Sequence, residues 1–183
     1  LLRAIKAADH ASVREAIDGG VDITAKEPDG TTLLHWAVHV EDAGIVQLLL
    51  DAGADPGAVN RYGVPPLALA CTNGNVPIAQ LLLEAGGDAN STLAEGETVL
   101  MTAARTGSRG VVDLLLEYGA DPNAAETWRG QTAMMWAAAE GNEQVIPTML
   151  AHGADMTARS ANGWTPLLFA VREGQIEVVQ TLL

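Results

Sequence analysis

The chain has 183 residues, of which 48% are hydrophobic, and this excludes a disordered segment. With 23 acidic against 10 basic side chains its net charge is −13, a surface that repels a phosphate backbone and suits a basic or neutral partner. The longest apolar run, residues 133 to 139, is far too short to cross a bilayer, so no membrane insertion is expected.

Glycines at 30, 63, 96, 130 and 163 recur at steps of 33, 33, 34 and 33 residues. A fixed period of that size means stacked supersecondary units, each too small to bury its own apolar face. One domain over 1–183 is expected, with a partial unit at 1–26, then units at 27–59, 60–92, 93–126 and 127–159, and a truncated one at 160–183. The odd step places a one-residue insertion somewhere in 124–128.

Inside each unit the pattern changes meaning in a fixed order. A first helix starts just after the organising glycine, with Thr32, Thr98, Thr132 and Thr165 in the capping position and Pro166 at the first helical position. Pro65 takes the hydroxyl's place in the second unit. Large apolar residues at 34, 67, 100, 134 and 167 are followed three positions later by alanines 37, 70, 103, 137 and 170, on the same face. An unbroken alanine column implies that a neighbouring helix approaches closely there. This helix should stop at Gly74, Gly107, Gly141 and Gly174, where a left-handed residue is needed, while Glu41 stands in that place in the first full unit.

A second helix carries pairs such as Ile45-Val46 and Val111-Val112, and then a leucine run at 48–50, 81–83 and 114–116. It should end at Gly53, Gly86, Gly119 and Gly153. Pro147 falls inside the fourth unit's second helix, where it removes an amide donor and crowds the carbonyl of Glu143; an interior proline costs about 3 kcal/mol. That stretch is therefore expected to be the local weak point. Neither end shows a polar face, so further sequence beyond both is expected.

Thr32-Leu33-Leu34-His35-Trp36-Ala37, Thr165-Pro166-Leu167-Leu168-Phe169-Ala170 and the Gly-Ala-Asp turns resemble the ankyrin repeat. The resemblance covers essentially the whole chain and implies an all-α solenoid of helix pairs with protruding hairpins. It also implies a non-catalytic module that binds a partner protein or peptide in a concave groove. The scatter among repeats looks natural, not like an idealised consensus.

Candidate chemistry is thin. His35 and His39 lie four apart on one helix, a spacing that can hold zinc, but no third ligand stands nearby. His35 is expected to bond the neighbouring loop, as the resemblance implies, and His39 to face solvent. Cys71, the single cysteine, reads as a buried filler; it cannot form an internal disulfide and leaves the compartment open, cytoplasmic or exported. Asn60, Asn90 and Asn123 occupy turn positions, where a structural role is expected. Nothing points to a catalytic set, a cofactor or a phosphate loop.

The residues that the repeat does not dictate are the informative ones. Hairpin tips and the exposed face of the first helices offer Arg61, Tyr62, Val64, Glu95, Glu97, Arg105, Trp128, Arg129, Gln131, Asn162, Trp164 and Arg172 as partner-binding residues. Tyr, Trp and Arg are the types enriched at binding hot spots. The partner expected is a peptide or loop with apolar anchors and basic flanks, lying across repeats two to five of a monomer. Trp36, Trp136 and Phe169, one before the alanine column, are expected to pack on adjacent repeats. Two other readings stay open, the targeting portion of a longer enzyme and a structural assembly subunit.

Overall fold

Residues 1–183 are all described by a computed structural model, and they form twelve α-helices with no β-sheet. The helices follow one another two by two along the chain: α1 (Leu2–Lys6) and α2 (His10–Asp18), α3 (Leu33–His39) and α4 (Ala43–Asp51), then α5 (Pro66–Asn73) and α6 (Val76–Glu84). There follow α7 (Val99–Thr106) with α8 (Arg109–Glu117), α9 (Ala133–Glu140) with α10 (Ile146–Ala151), and α11 (Pro166–Glu173) with α12 (Ile176–Leu182). No helix is long and apolar enough to cross a membrane.

The chain divides into two compact units, residues 1–70 with 75–88, and residues 71–74 with 89–183. In the first, α1 packs on α3, α2 on α4 and α4 on α6. In the second, α7, α9 and α11 pack in succession as one layer, while α8, α10 and α12 form the layer behind. Helices this short are marginal alone and hold their shape through such packing. The alanine column explains how close the layers sit: Ala37, Ala70, Ala103, Ala137 and Ala170 are all wholly buried. Leu34, Leu67, Leu100 and Met134 fill the same face and are 1% exposed.

Capping follows the sequence with one exception. The hydroxyls of Thr32, Thr98 and Thr165 accept the backbone N–H of His35, Met101 and Leu168. Thr132, expected to do the same, does not: its hydroxyl is buried and bonds nothing. Gly107, Gly141 and Gly174 end their helices in the left-handed region, and Glu41 is forced into it at φ 57° for want of a glycine.

Pro147 is accommodated differently from the expectation. A 3₁₀ turn over Glu143–Val145 takes up the start of that segment, and α10 begins only at Ile146. The proline thereby sits in the first helical turn, where its missing N–H would have had no intrahelical partner. The interior penalty is avoided by shortening α10 to six residues against nine in α8.

Candidate functional site

Each hairpin that leads into a first helix is closed at its glycine. Gly30, Gly63, Gly96 and Gly163 donate their N–H to the carbonyl three residues back, at Glu27, Asn60, Leu93 and Ser160. Gly130 reaches four back, to Glu126. The flanking antiparallel bridge widens in step, from Lys26–Thr32 and Thr92–Thr98 to Ala125–Thr132. The inserted residue therefore lies within 127–129, a tighter placement than the sequence allowed and only partly overlapping it.

A wider turn leaves more inward-facing amides, and Glu126 collects them. Its carboxylate accepts the backbone N–H of Trp128 at 2.6 Å, of Arg129 at 2.9 Å and of Gln131 at 2.9 Å. Glu126 is only 6% exposed. Burial alone would raise its pKa, but those three amides and the nearby Arg129 guanidinium outweigh it and hold the carboxyl below the ordinary glutamate value. The shorter turns use shorter acceptors for the same task, Asp29 for Thr31, Asn60 for Tyr62 and Val64, and Ser160 for Trp164.

With its turn fixed from inside, Trp128 projects into solvent, 66% exposed, and the Arg129 guanidinium lies 3.9 Å from its ring centroid. Adjacent hairpins of the second unit are tied by main-chain bonds, Thr127 N–H to the Glu95 carbonyl at 2.7 Å and Ala161 N–H to that of Arg129 at 2.8 Å. Between the hairpins and the exposed side of α7, α9 and α11 lies an open cavity of about 330 Å³. Trp128, Met135, Trp136 and Phe169 form its apolar wall, and Arg105, Arg129 and Arg172 reach its rim. Each guanidinium lies near an aromatic ring: Arg105 5.6 Å from Trp136, and Arg172 5.2 Å from Phe169. Of the cavity's carboxylates, Glu126 is taken by amides. Glu97 accepts the Thr102 hydroxyl at 2.8 Å and lies 3.9 Å from Arg105. Glu95 and Glu140, both exposed, make no ion pair.

Seven residues singled out in the sequence meet at this cavity: Glu95, Glu97, Arg105, Trp128, Arg129, Gln131 and Arg172. Trp164 does not; half-buried, it packs on Phe169 with ring centroids 5.6 Å apart and lies under Arg172 at 5.0 Å. Asn162 stays exposed at its hairpin tip. Arg61, Tyr62 and Val64 belong to the first unit, where Tyr62 is 59% exposed with the Arg61 guanidinium 4.7 Å from its ring. The Val64 carbonyl is occupied by His35.

Sequence reasoning misses Glu126, whose role depends on a turn conformation, and it favours packing over binding for Trp136 and Phe169 without deciding between them. Phe169 is 5% exposed yet lines the cavity beside Trp136. Trp136 also carries an anomaly. Its Nε1 is buried and has no hydrogen-bond partner, which costs about 1–3 kcal/mol. The tryptophan at the same register in the first full repeat, Trp36, donates its Nε1–H to Glu27 at 2.7 Å. Glu126 is the counterpart of Glu27, since each directly follows the bridge residue, but its oxygens serve the widened turn instead.

The histidine pair offers no free ligand nitrogen at His35. Both ring nitrogens of His35 are engaged, Nδ1 with Thr32 and Nε2 with the Val64 carbonyl at 2.9 Å, while His39 is exposed with its ring edge-on to Trp36. Cys71 is wholly buried, and burial pushes its thiol up to about 12, far from nucleophilic. The turn asparagines are structural: Asn90 joins the Gly119 carbonyl to the Asp121 N–H, and Asn123 joins the Gly153 carbonyl to the Asp155 N–H.

The sequence model of ankyrin repeats (three copies) matches residues 1–92, 39–126, 69–160 and 100–183, which together span the chain. The chain belongs to the ankyrin repeat family. Its helix pairs and hairpins are those of an all-α ankyrin solenoid. Among solved structures it is similar to the ankyrin repeat domain of Bcl-3, described as a unique member of the IkappaB protein family. The two are 28% identical with a TM-score of 0.85, over 99% of this chain and 83% of that one. No curated protein matches the chain by sequence. Ankyrin repeats are generally protein–protein interaction modules, and that coarse role extends to this one.

Proposed function

We propose that the second unit binds a partner protein or peptide at the cavity bounded by the 95–97 and 126–131 hairpins and by α7, α9 and α11. An apolar anchor of the partner sits against Trp128, Trp136 and Phe169, and a basic residue beside it meets Glu95 and Glu140. The observation that carries this is Trp128, a large ring left 66% exposed on a turn that Glu126 holds rigid. Exposed apolar area of that kind is unfavourable in water and returns its free energy on burial by a partner. The charge pattern sets the flanks: the two unpaired carboxylates favour a cation, and a net charge of −13 speeds the approach of a basic partner at low salt. The reading is of a non-catalytic module; nothing at the cavity pairs a nucleophile with a base.

The test is selection of peptides from a random display library on the intact chain. The selected peptides should be rich in apolar residues flanked by Lys or Arg. Their binding should weaken at least about fivefold, or 1 kcal/mol, in Trp128→Ala and in the double charge reversal Glu95→Lys, Glu140→Lys. Peptides that bind both variants as well as the parent chain would refute the assignment.

A further inference from the structure

We infer that the partner supplies a neutral hydrogen-bond acceptor, a main-chain carbonyl beside its apolar anchor, to the Nε1–H of Trp136. This rests on the cavity being the binding site and adds what the site reads there. The comparison between two repeats of the same chain points to it. In the first full repeat the indole N–H has its own acceptor, Glu27. In the fourth, the corresponding glutamate is withdrawn to the Trp128, Arg129 and Gln131 amides, and the donor on the cavity wall is left with nothing.

A buried donor without a partner is rare in a well-packed repeat, and its most economical role is to be completed by a ligand. The surroundings select the kind of acceptor. A carboxylate would enter among four glutamates, which Arg105, Arg129 and Arg172 offset only in part, in a strongly acidic chain. A neutral carbonyl meets no such repulsion, and every residue of a peptide carries one. A cation cannot answer an N–H at all. Nε1 is shielded from solvent, so a neighbouring side chain must shift to admit the acceptor. Arg105 is placed to do so: it is 47% exposed, 5.6 Å from the Trp136 ring centroid, and held to Glu97 only at 3.9 Å.

The experiment uses the indole N–H resonances of the ¹⁵N-labelled intact chain, with Trp136 assigned by its loss in Trp136→Phe. Three probes are titrated: the capped peptide acetyl-lysyl-leucyl-lysyl-amide, its analogue with an ester in place of the leucyl–lysyl amide, and its analogue with a trans-alkene there. The ester keeps the carbonyl and loses the amide proton; the alkene loses both. The expected result is a downfield shift of the Trp136 N–H with the amide and ester, none with the alkene, and about tenfold weaker binding of the amide by Trp136→Phe. The same substitution should shift the thermal midpoint little, because relief of the unsatisfied donor offsets the ring contacts it removes. Shifts at Trp128 with an unmoved Trp136 N–H, or equal shifts with all three probes, would overturn the inference while leaving the cavity as the binding site. No shift at either tryptophan with any probe would overturn both.

Discussion

The guanidinium of Arg129 stacks at 3.9 Å on the indole of Trp128, and neither residue is buried by the rest of the chain. In the proposed site this pair would act as a preformed hot spot, because the arginine restrains the ring without hiding its area. Trp128→Ala should lower partner binding by at least about 1 kcal/mol and shift the thermal midpoint little, since truncating an exposed side chain leaves no cavity. Tyr62→Ala in the first unit should spare the fold in the same way. Trp164→Ala is expected to behave otherwise. That ring is half-buried on Phe169, so its loss should destabilise the last repeat, and a thermal midpoint as unchanged as that of Trp128→Ala would contradict the packing described.

Glu126 makes the hairpin of the fourth repeat sensitive to acid. Its folded pKa is depressed, so the stabilisation it gives is fully present above the unfolded value near 4.5 and is lost as pH falls through the lower folded one. Glu126→Ala should strand three inward-facing amides and cost on the order of 1–3 kcal/mol at neutral pH. Glu126→Gln keeps an oxygen acceptor and should cost less. Thermal melts of the parent and of Glu126→Ala should converge as pH drops below about 4.5. A difference independent of pH across that range would show that the carboxylate charge is not what holds the turn.

The repeat frame was legible because it is written in local chemistry. Ala37 to Ala170 recur on one helical face, and the organising glycines 30, 63, 96, 130 and 163 all stand in the left-handed region. What was not legible depends on conformation within a single turn. An inserted residue can be absorbed in several places, and only the Gly130–Glu126 closure localises it. Glu126 reads in sequence as one more surface acid, yet it is buried and fully engaged. Trp136 reads as packing, and its unmatched N–H emerges only when Glu126 is seen to face elsewhere. Likewise Pro147 looked like an interior proline because the sequence pattern does not show that its helix starts three residues late.

His35 gives a second pH dependence with a separate window. Burial, chiefly, lowers its pKa below the ordinary 6.5, against a smaller opposing effect of its bond to the Val64 carbonyl. The folded state therefore holds a neutral imidazole, and its contribution is present above about pH 6.5 and lost as pH falls through the folded value. Stability should drop between pH 7 and 5 by less in His35→Gln than in the parent chain. Zinc or a chelator should leave the thermal midpoint unchanged, since a tight native-state ligand would stabilise by mass action and both His35 nitrogens are already occupied. A metal-dependent rise abolished by His39→Ala would show that the helix can release His35.

The second helix of the fourth repeat should open earlier than α8, its neighbour in the second unit's rear layer. Its α-helical part, α10, has six residues and is preceded by a 3₁₀ turn, whereas α8 has nine continuous residues. Fewer consecutive main-chain bonds make a smaller cooperative segment, and 3₁₀ bonds are poorer in geometry. The side chains do not reverse this, because Val145, Ile146 and Met149 are as fully buried as Val111, Val112 and Leu115, leaving the backbone as the difference. Pro147 contributes by fixing where the helix can start, not by straining its interior. Native-state hydrogen exchange should show amides in 142–150 exchanging faster than those in 111–116. Equal protection would mean that both helices open only with the whole unit, and the break at Glu143–Val145 would then carry no local weakness.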